Sequence, residues 1–176
     1  MSEQIPAEPA PPPSLLAGFF ILLIVIVGIV GWIVLGSAAK LTSFYASFLF
    51  LWYWSTVDHL DFKKFFFSMM GAMIGIGLAW GLHTLPTAMG TNGIILSLVL
   101  VVVAVYLVII ERLKFAFNPA LTLYLTVVAA PALLENSNFG ELALATLLGG
   151  AFFGLFVFIV LFIVSKVQGN PEAANS

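Results

Sequence analysis

The sequence contains no cysteine, which excludes disulfide bonds, thiolate metal sites, iron–sulfur clusters and cysteine nucleophiles. It has only two histidines, His59 and His83. Because zinc and di-iron sites draw on several histidine and carboxylate ligands, we expect no metal site. No nucleophile–base pair is recognisable either, so the chain is predicted not to be an enzyme and to use no cofactor.

Charge is equally scarce. Charged residues make up 8% of the chain and hydrophobic residues 62%, whereas soluble domains carry about 25% charged residues. The mean hydropathy is +1.16, and the net charge of -2 provides no basic surface for nucleic acid. Since a water-facing surface cannot be built from this composition, the sequence predicts a membrane protein whose first partner is the lipid bilayer. The apolar runs are continuous rather than alternating, which favours helices over strands.

The predicted organisation has three parts. Residues 1–14 form a proline-rich, disordered tail with no basic region ahead of the first apolar run, so no cleaved signal peptide is expected. Residues 15–167 form the transmembrane domain. Residues 168–176 form a short polar C-terminal tail.

Six apolar segments are predicted within the membrane domain. A helix that crosses ~30 Å of hydrocarbon needs ~20 apolar residues. The segments are Leu15–Leu35, Ser43–Val57, Phe65–Leu85, Gly93–Ile110, a fifth within Phe115–Leu134, and Glu141–Val164. The predicted fold class is therefore an all-α polytopic membrane protein with six transmembrane helices.

Six crossings place both termini on one side of the membrane. That side then carries all the basic residues but one: Lys63, Lys64, Arg112, Lys114 and Lys166 lie on it, and Lys40 lies opposite. Lysine and arginine concentrate in cytoplasmic loops, so both termini are predicted to be cytoplasmic. By the same threading, Trp32, Trp80, Trp52 and Trp54 fall near the membrane interfaces, where amphipathic rings are favoured.

The second and fifth segments are irregular. The second has only about 15 apolar residues, or ~22 Å as a helix. The fifth contains Asn118-Pro119-Ala120, in which asparagine is a good N-cap and proline is favoured at the first helical position. Either the helix begins at Pro119 and is short, or it begins near Leu113 and is kinked. Short or proline-interrupted segments at matching positions are typical of a solute site between inverted repeats, and predict a possible 3+3 repeat.

A helix N-terminus capped by asparagine is expected to offer free amide donors to a polar solute. The candidate residues of a solute pathway are Asn118, Pro119, Thr122, Tyr124, Trp52 and Trp54. The triplet is similar to the aquaporin signature, but it occurs once here and the chain has too few helices for that family. A second polar cluster, Asp58, His59 and Asp61, is either a proton relay or a solvated loop beside two lysines.

Small residues spaced four apart mark the third and sixth segments. Such spacing lets helix backbones approach closely in lipid. The candidate packing positions are Gly71, Gly75, Gly77, Gly81, Gly150 and Gly154. They serve either contacts within one subunit or a subunit interface, so a homo-oligomer or a larger membrane partner is expected.

Several glycine and aromatic motifs resemble a family of small bacterial inner-membrane proteins of unknown function. They are Gly31-Trp32, Leu35-Gly36, the stretch 75–81, Phe117-Asn118-Pro119 and the stretch 148–154. The resemblance implies six spans and a bacterial inner membrane, and no chemistry. The proline-rich start and the stretch 58–64 depart from the family pattern.

The predicted function is transport. The spans contain no deep charge, which favours a channel or facilitative transporter for a small neutral or weakly polar solute. The alternative is a structural or accessory subunit that packs against a larger partner complex through its glycine surfaces.

Overall fold

The computed structural model describes residues 14–168, with side chains to residue 166. The predicted proline-rich tail, apart from Ser14, and the end of the chain after Gln168 lie outside the described residues. This part of the chain is entirely helical, with no strand, as predicted. The helices are α1 (Leu15–Ala38), α2 (Phe44–Thr56), α3 (Phe62–Met89), α4 (Thr91–Ile109), α5 (Pro119–Val128), α6 (Pro131–Leu134) and α7 (Phe139–Gln168).

Four of these helices, α1, α3, α4 and α7, are long and apolar enough to cross a membrane. Helices α2 and α5 have 13 and 10 residues, which corresponds to ~20 Å and ~15 Å. Both are shorter than the ~30 Å of a bilayer's hydrocarbon core. The described chain thus contains four long helices and two short ones at the predicted second and fifth positions.

Proline decides where α5 begins and ends. The helix starts at Pro119, one of the two predicted alternatives, and ends at Val128 rather than Leu134. The next proline, Pro131, disfavours helical backbone at Ala130, which is extended with ψ at 132°. The chain therefore restarts as the four-residue helix α6.

The third helix extends beyond Leu85, the predicted end of the third segment. Pro86 lies inside α3, which continues to Met89. Proline has no amide hydrogen, so α3 continues through this position without a hydrogen bond from residue 86 to the Leu82 carbonyl. The following residue, Gly90, has a φ of 57° and joins α3 to α4 without a longer loop.

Each short helix packs on the last long helix of the other half of the chain. The Ser47 hydroxyl on α2 donates to the Ala145 carbonyl on α7 at 2.7 Å, and α2 runs parallel to α7. The Asn118 amide at the start of α5 donates to the Phe67 carbonyl on α3 at 2.7 Å, and α5 runs parallel to α3. The two halves of the chain therefore exchange their short helices.

The long helices are offset along their common direction. The rings of Phe62, at the start of α3, and Phe158 on α7 lie 6.3 Å apart, yet α7 continues ten residues further, or ~15 Å. At the other end, the rings of His83 and Phe139 lie 5.7 Å apart, and α3 continues past this level to Met89. Helices α1 and α7 thus project at one end of the bundle, and α3 and α4 at the other.

Large apolar side chains cover the outside as well as the centre. Val27 is 62% exposed, Val102 66% and Ile109 72%, which is typical of helices that face lipid. The centre is aromatic, and its largest fully buried side chains are Trp32, Trp54, Tyr124, Phe50 and Phe153. Trp32 is therefore a core residue rather than an interfacial one, in contact with Phe44, Phe152 and Phe153.

The hydroxyl of Tyr124 connects the two short helices. It is buried and donates to the Ala46 carbonyl of α2 at 2.6 Å. We expect Tyr124→Phe to lower the free energy of unfolding by about 1 kcal/mol, because the Ala46 carbonyl loses a buried donor. Thermal unfolding in detergent should show a decrease of about 2–4 °C. Tyr106→Phe, on a side chain that is 58% exposed, is the control, and an equal effect of both variants would contradict this role.

Candidate functional site

A cavity of about 530 Å³ lies at one end of the bundle, where α2 ends and α3 and α5 begin. Its walls come from four helices and the two loops that join them. The lining residues are Tyr53, Val57, Asp58, Lys64, Phe67, Ser68, Val108, Glu111, Lys114, Phe117, Asn118 and Pro119. Two of the predicted pathway residues, Asn118 and Pro119, are thus part of the lining of this cavity.

Asn118 closes the start of α5 and ties it to α3. Its Oδ1 accepts the Ala120 amide at 3.0 Å, while its Nδ2 donates to the Phe67 carbonyl. The Leu121 amide bonds to the Asn118 carbonyl at 3.0 Å, and Pro119 has no amide hydrogen. The first amides of α5 are therefore bonded within the protein, and the free donors expected from the sequence are not present.

Gly71 makes room for this cap. A Cβ at Gly71 would lie 2.1 Å from Asn118 Oδ1, closer than any non-bonded pair of heavy atoms tolerates. One turn further, a Cβ at Gly75 would lie 2.6 Å from the Leu121 carbonyl oxygen. The spacing of Gly71 and Gly75 therefore sets how closely α5 can approach α3.

Asp58 is the charged group that is buried in this cavity. Its side chain is 6% exposed and accepts a hydrogen bond from the Ser68 hydroxyl, which is 3% exposed. The Tyr53 hydroxyl lies beside Ser68 and the backbone amide of Ala120. Within residues 14–166, no lysine or arginine pairs with Asp58.

The other members of the Asp58 cluster point elsewhere. Asp61 is the N-cap of α3, accepting the Lys63 amide at 2.8 Å, and its carbonyl accepts the Trp54 indole at 3.1 Å. His59 is exposed and has a φ of 53°. The three side chains serve separate purposes, so they do not assemble a relay in this structure.

Charges of both signs surround the mouth of the cavity. Lys114 and Glu111 form an exposed ion pair at 2.6 Å. The hydrogen bond and the charge of Lys114 hold the pKa of the Glu111 carboxyl below its usual value, so both partners are charged at neutral pH. Lys64 is also exposed and forms no ion pair with a described residue.

The remaining candidate pathway residues lie outside the cavity lining. Thr122 donates to the Pro119 carbonyl of its own helix at 2.8 Å. Tyr124 and Trp54 are fully buried in the core, and Trp52 is 54% exposed on the outer face of α2. None of the four lines the cavity.

The other candidate packing glycines are of two kinds. At some of them a neighbouring side chain occupies the place of a Cβ, and at others that place is open. A Cβ at Gly150 would meet the Met69 side chain at 2.1 Å, and one at Gly154 would meet Phe65 at 3.1 Å. These two glycines let α7 approach α3. A Cβ at Gly77 would meet nothing within 4 Å, and one at Gly81 only Leu85 at 3.7 Å.

At the opposite end of the bundle, Glu141 of α7 holds the start of α2. Its Oε1 accepts the Thr42 hydroxyl at 2.8 Å and the Ser43 amide at 2.9 Å, together with the Thr42 amide. This carboxylate acts as an N-cap supplied from a distant helix. Sequence reasoning missed this role, because Glu141 is almost a hundred residues from its partners.

Sequence reasoning also missed Tyr53 and Ser68 as parts of the cavity. Ser68 lies three residues before Gly71, so both lie on one face of α3, and this was the available signal. No family model, curated protein or solved structure matches the chain.

Proposed function

We propose that the protein is an integral membrane carrier that admits a small polar solute of no net charge into the cavity beside Asn118. The observation that carries this function is the cavity itself, which holds a buried carboxylate at one end of an otherwise apolar bundle. Polar groups deep in a membrane protein are costly and mark solute pathways. Of the two predicted modes, channel and facilitative transporter, the second fits better, because buried aromatic residues fill the bundle beyond the cavity.

The helix exchange supports a 3+3 inverted repeat within this carrier. Helices α1, α2 and α3 have the same long–short–long order as α4, α5 and α7. In each half the short helix packs on the third helix of the other half, and its start is tied there by a polar side chain, Glu141 or Asn118. Solute sites of inverted-repeat transporters lie where such short helices meet.

The charge distribution supports a cytoplasmic opening. Lys63, Lys64, Arg112 and Lys114 belong to the loops and helix ends around the cavity, whereas Lys40 belongs to the opposite end. Positive residues favour the cytoplasmic side, so the cavity faces the cytoplasm, as do both termini. A bacterial inner membrane is the location that the sequence resemblance implies.

Osmotic light scattering from proteoliposomes tests this function. We expect vesicles that hold the protein to relax faster than empty vesicles in gradients of glycerol or urea, and Val108→Trp to abolish the difference. Tryptophan at Val108 fills the cavity from α4 without removing a hydrogen bond, so it leaves the fold intact. Asn118→Leu should have the same effect on flux, at the additional cost of about 1 kcal/mol for the lost cap.

Asn92→Leu is the matched control, since Asn92 is an exposed asparagine at the far end of α4. Vesicles that hold Asn92→Leu should relax as fast as vesicles that hold the unsubstituted protein. Relaxation equal to that of empty vesicles, from protein shown to be folded and inserted, would contradict transport of these solutes.

The second candidate function is that of an accessory subunit. Gly77 and Gly81 favour it, because they form a small-residue pair that no other helix within residues 14–168 fills. A protein of this kind would show no flux and no sensitivity to Val108→Trp.

A further inference from the structure

Of the four charged side chains that line the cavity, one acidic and one basic side chain form no ion pair within the described residues. Asp58 is buried, and the hydrogen bond to its carboxylate comes from the Ser68 hydroxyl. Lys64 lies on the first turns of α3 at the mouth. Within residues 14–166, the Lys114–Glu111 contact is the only ion pair, so Asp58 and Lys64 stay unpaired although they share one cavity.

The other two charges of the lining neutralise each other. Glu111 and Lys114 are joined at 2.6 Å. What the cavity presents to a solute is therefore one carboxylate and one ammonium group, with a net charge of zero. A buried charge without a partner is costly, and a solute that brings the opposite charge to Asp58 removes that cost.

The space between these charges is mostly apolar. Phe67, Phe117, Val57 and Val108 form the walls, with the Tyr53 hydroxyl as a polar group beside Asp58. The volume of about 530 Å³ lies within the range of about 300–1,000 Å³ that is typical of small-molecule sites. A small molecule with an ammonium group, a carboxylate and an apolar body matches the composition of this lining.

We propose that the cavity binds a zwitterion of the amino-acid type, with its ammonium group on Asp58 and its carboxylate on Lys64. A solute of this kind carries no net charge but satisfies both unpaired groups through charge-assisted hydrogen bonds. This assignment rests on the proposed function, since it names the solute class of the same cavity. Binding of the zwitterion can nevertheless be measured in detergent, independently of transport.

Titration calorimetry of the full chain in detergent, at neutral pH and constant ionic strength, tests this assignment. The probes are glycine, β-alanine and 4-aminobutyrate, compared with propylammonium, propionate and 1-propanol. We expect at least one zwitterion to bind about tenfold more tightly than any of the other three. The preferred zwitterion length then reports the separation of the two charged groups.

Single substitutions test separately the residue proposed to bind the ammonium group and the residue proposed to bind the carboxylate. Asp58→Asn should weaken the zwitterion and propylammonium by about tenfold and leave propionate unchanged. Lys64→Gln should weaken the zwitterion and propionate and leave propylammonium unchanged. Lys63→Gln is the control, because Lys63 is the exposed neighbour that does not line the cavity. Should Asp58→Asn fail to fold, Lys64→Gln and Lys63→Gln still decide, since both side chains are exposed.

Two results would overturn the assignment: no zwitterion binds better than 1-propanol, or Lys63→Gln and Lys64→Gln weaken binding equally. The outcome is separable from that of the transport experiment. Zwitterion binding without flux of glycerol, urea or the bound zwitterion refutes the carrier and keeps the site, whereas glycerol or urea flux without zwitterion binding keeps the carrier and refutes the site.

Discussion

Gly75→Ala is expected to lower the free energy of unfolding by about 3 kcal/mol or more. The added Cβ would lie 2.6 Å from the Leu121 carbonyl oxygen, 2.8 Å from Tyr124 Cβ and 3.0 Å from the Leu125 amide nitrogen. Two of these atoms belong to the backbone of α5 and cannot rotate away. The helices must therefore separate, which exceeds the ordinary cost of an overpacked side chain, about 1–3 kcal/mol.

Gly77→Ala is the matched control within the same helix. A Cβ at Gly77 meets nothing within 4 Å, and alanine is favoured over glycine in a helix by about 1 kcal/mol. Thermal unfolding of detergent-solubilised protein should show a large decrease for Gly75→Ala and none for Gly77→Ala. Similar midpoints for the two variants would mean that α5 does not pack on α3 as described.

Glu141→Ala is expected to cost about 3 kcal/mol. The variant removes the carboxylate oxygen that accepts the Thr42 hydroxyl and the Thr42 and Ser43 amides, and hydrogen bonds to a charged group contribute about 1.5–3 kcal/mol each. Part of this loss is recovered because water can reach the exposed Thr42. The start of α2 should loosen first, since its N-cap residue, Ser43, makes no side-chain capping bond of its own.

Amide hydrogen exchange combined with thermal unfolding measures this effect. Glu141→Ala should lower the unfolding midpoint and speed exchange at residues 43–47, and Glu141→Gln, which keeps an acceptor oxygen, should do so less. Glu135→Ala is the control, because Glu135 is an exposed carboxylate in the loop just before α7. A protected α2 in Glu141→Ala would show that the helix is held by its packing alone.

The existence of the helices could be predicted because an apolar run is a local property, although the ends of α3 and α5 differ from the predicted ones. The Asn118-Pro119 start of α5 was readable, since capping and proline preferences act within a few residues. The break at Ala130 also has a local cause, Pro131. It was not predicted, because the apolar run continues across this proline. The shortness of α2 and α5 followed from the same local signals.

The composition of the site could not be predicted in the same way. Asp58 reads as one residue of a charged, solvated loop, yet it is buried where the end of α2 and the starts of α3 and α5 meet. Glu141 reads as an ordinary first-turn acidic residue of α7, and its bonds to Thr42 and Ser43 depend on a contact between distant parts of the chain. Neither the burial of Asp58 nor the long-range hydrogen bonding of Glu141 produces a periodic pattern in the sequence.

The exchange of short helices also has a consequence for biosynthesis. Helix α2 is made before α7, yet Ala145 and Glu141, which hold it, lie 98 residues after their partners Ser47 and Ser43. Until α7 is synthesised, the 13-residue helix α2, which is too short to span the bilayer, lacks the helix on which it packs. Native packing of the first half therefore forms only after α7 has been synthesised, which makes assembly dependent on long-range contacts and leaves the nascent protein in need of protection in the meantime.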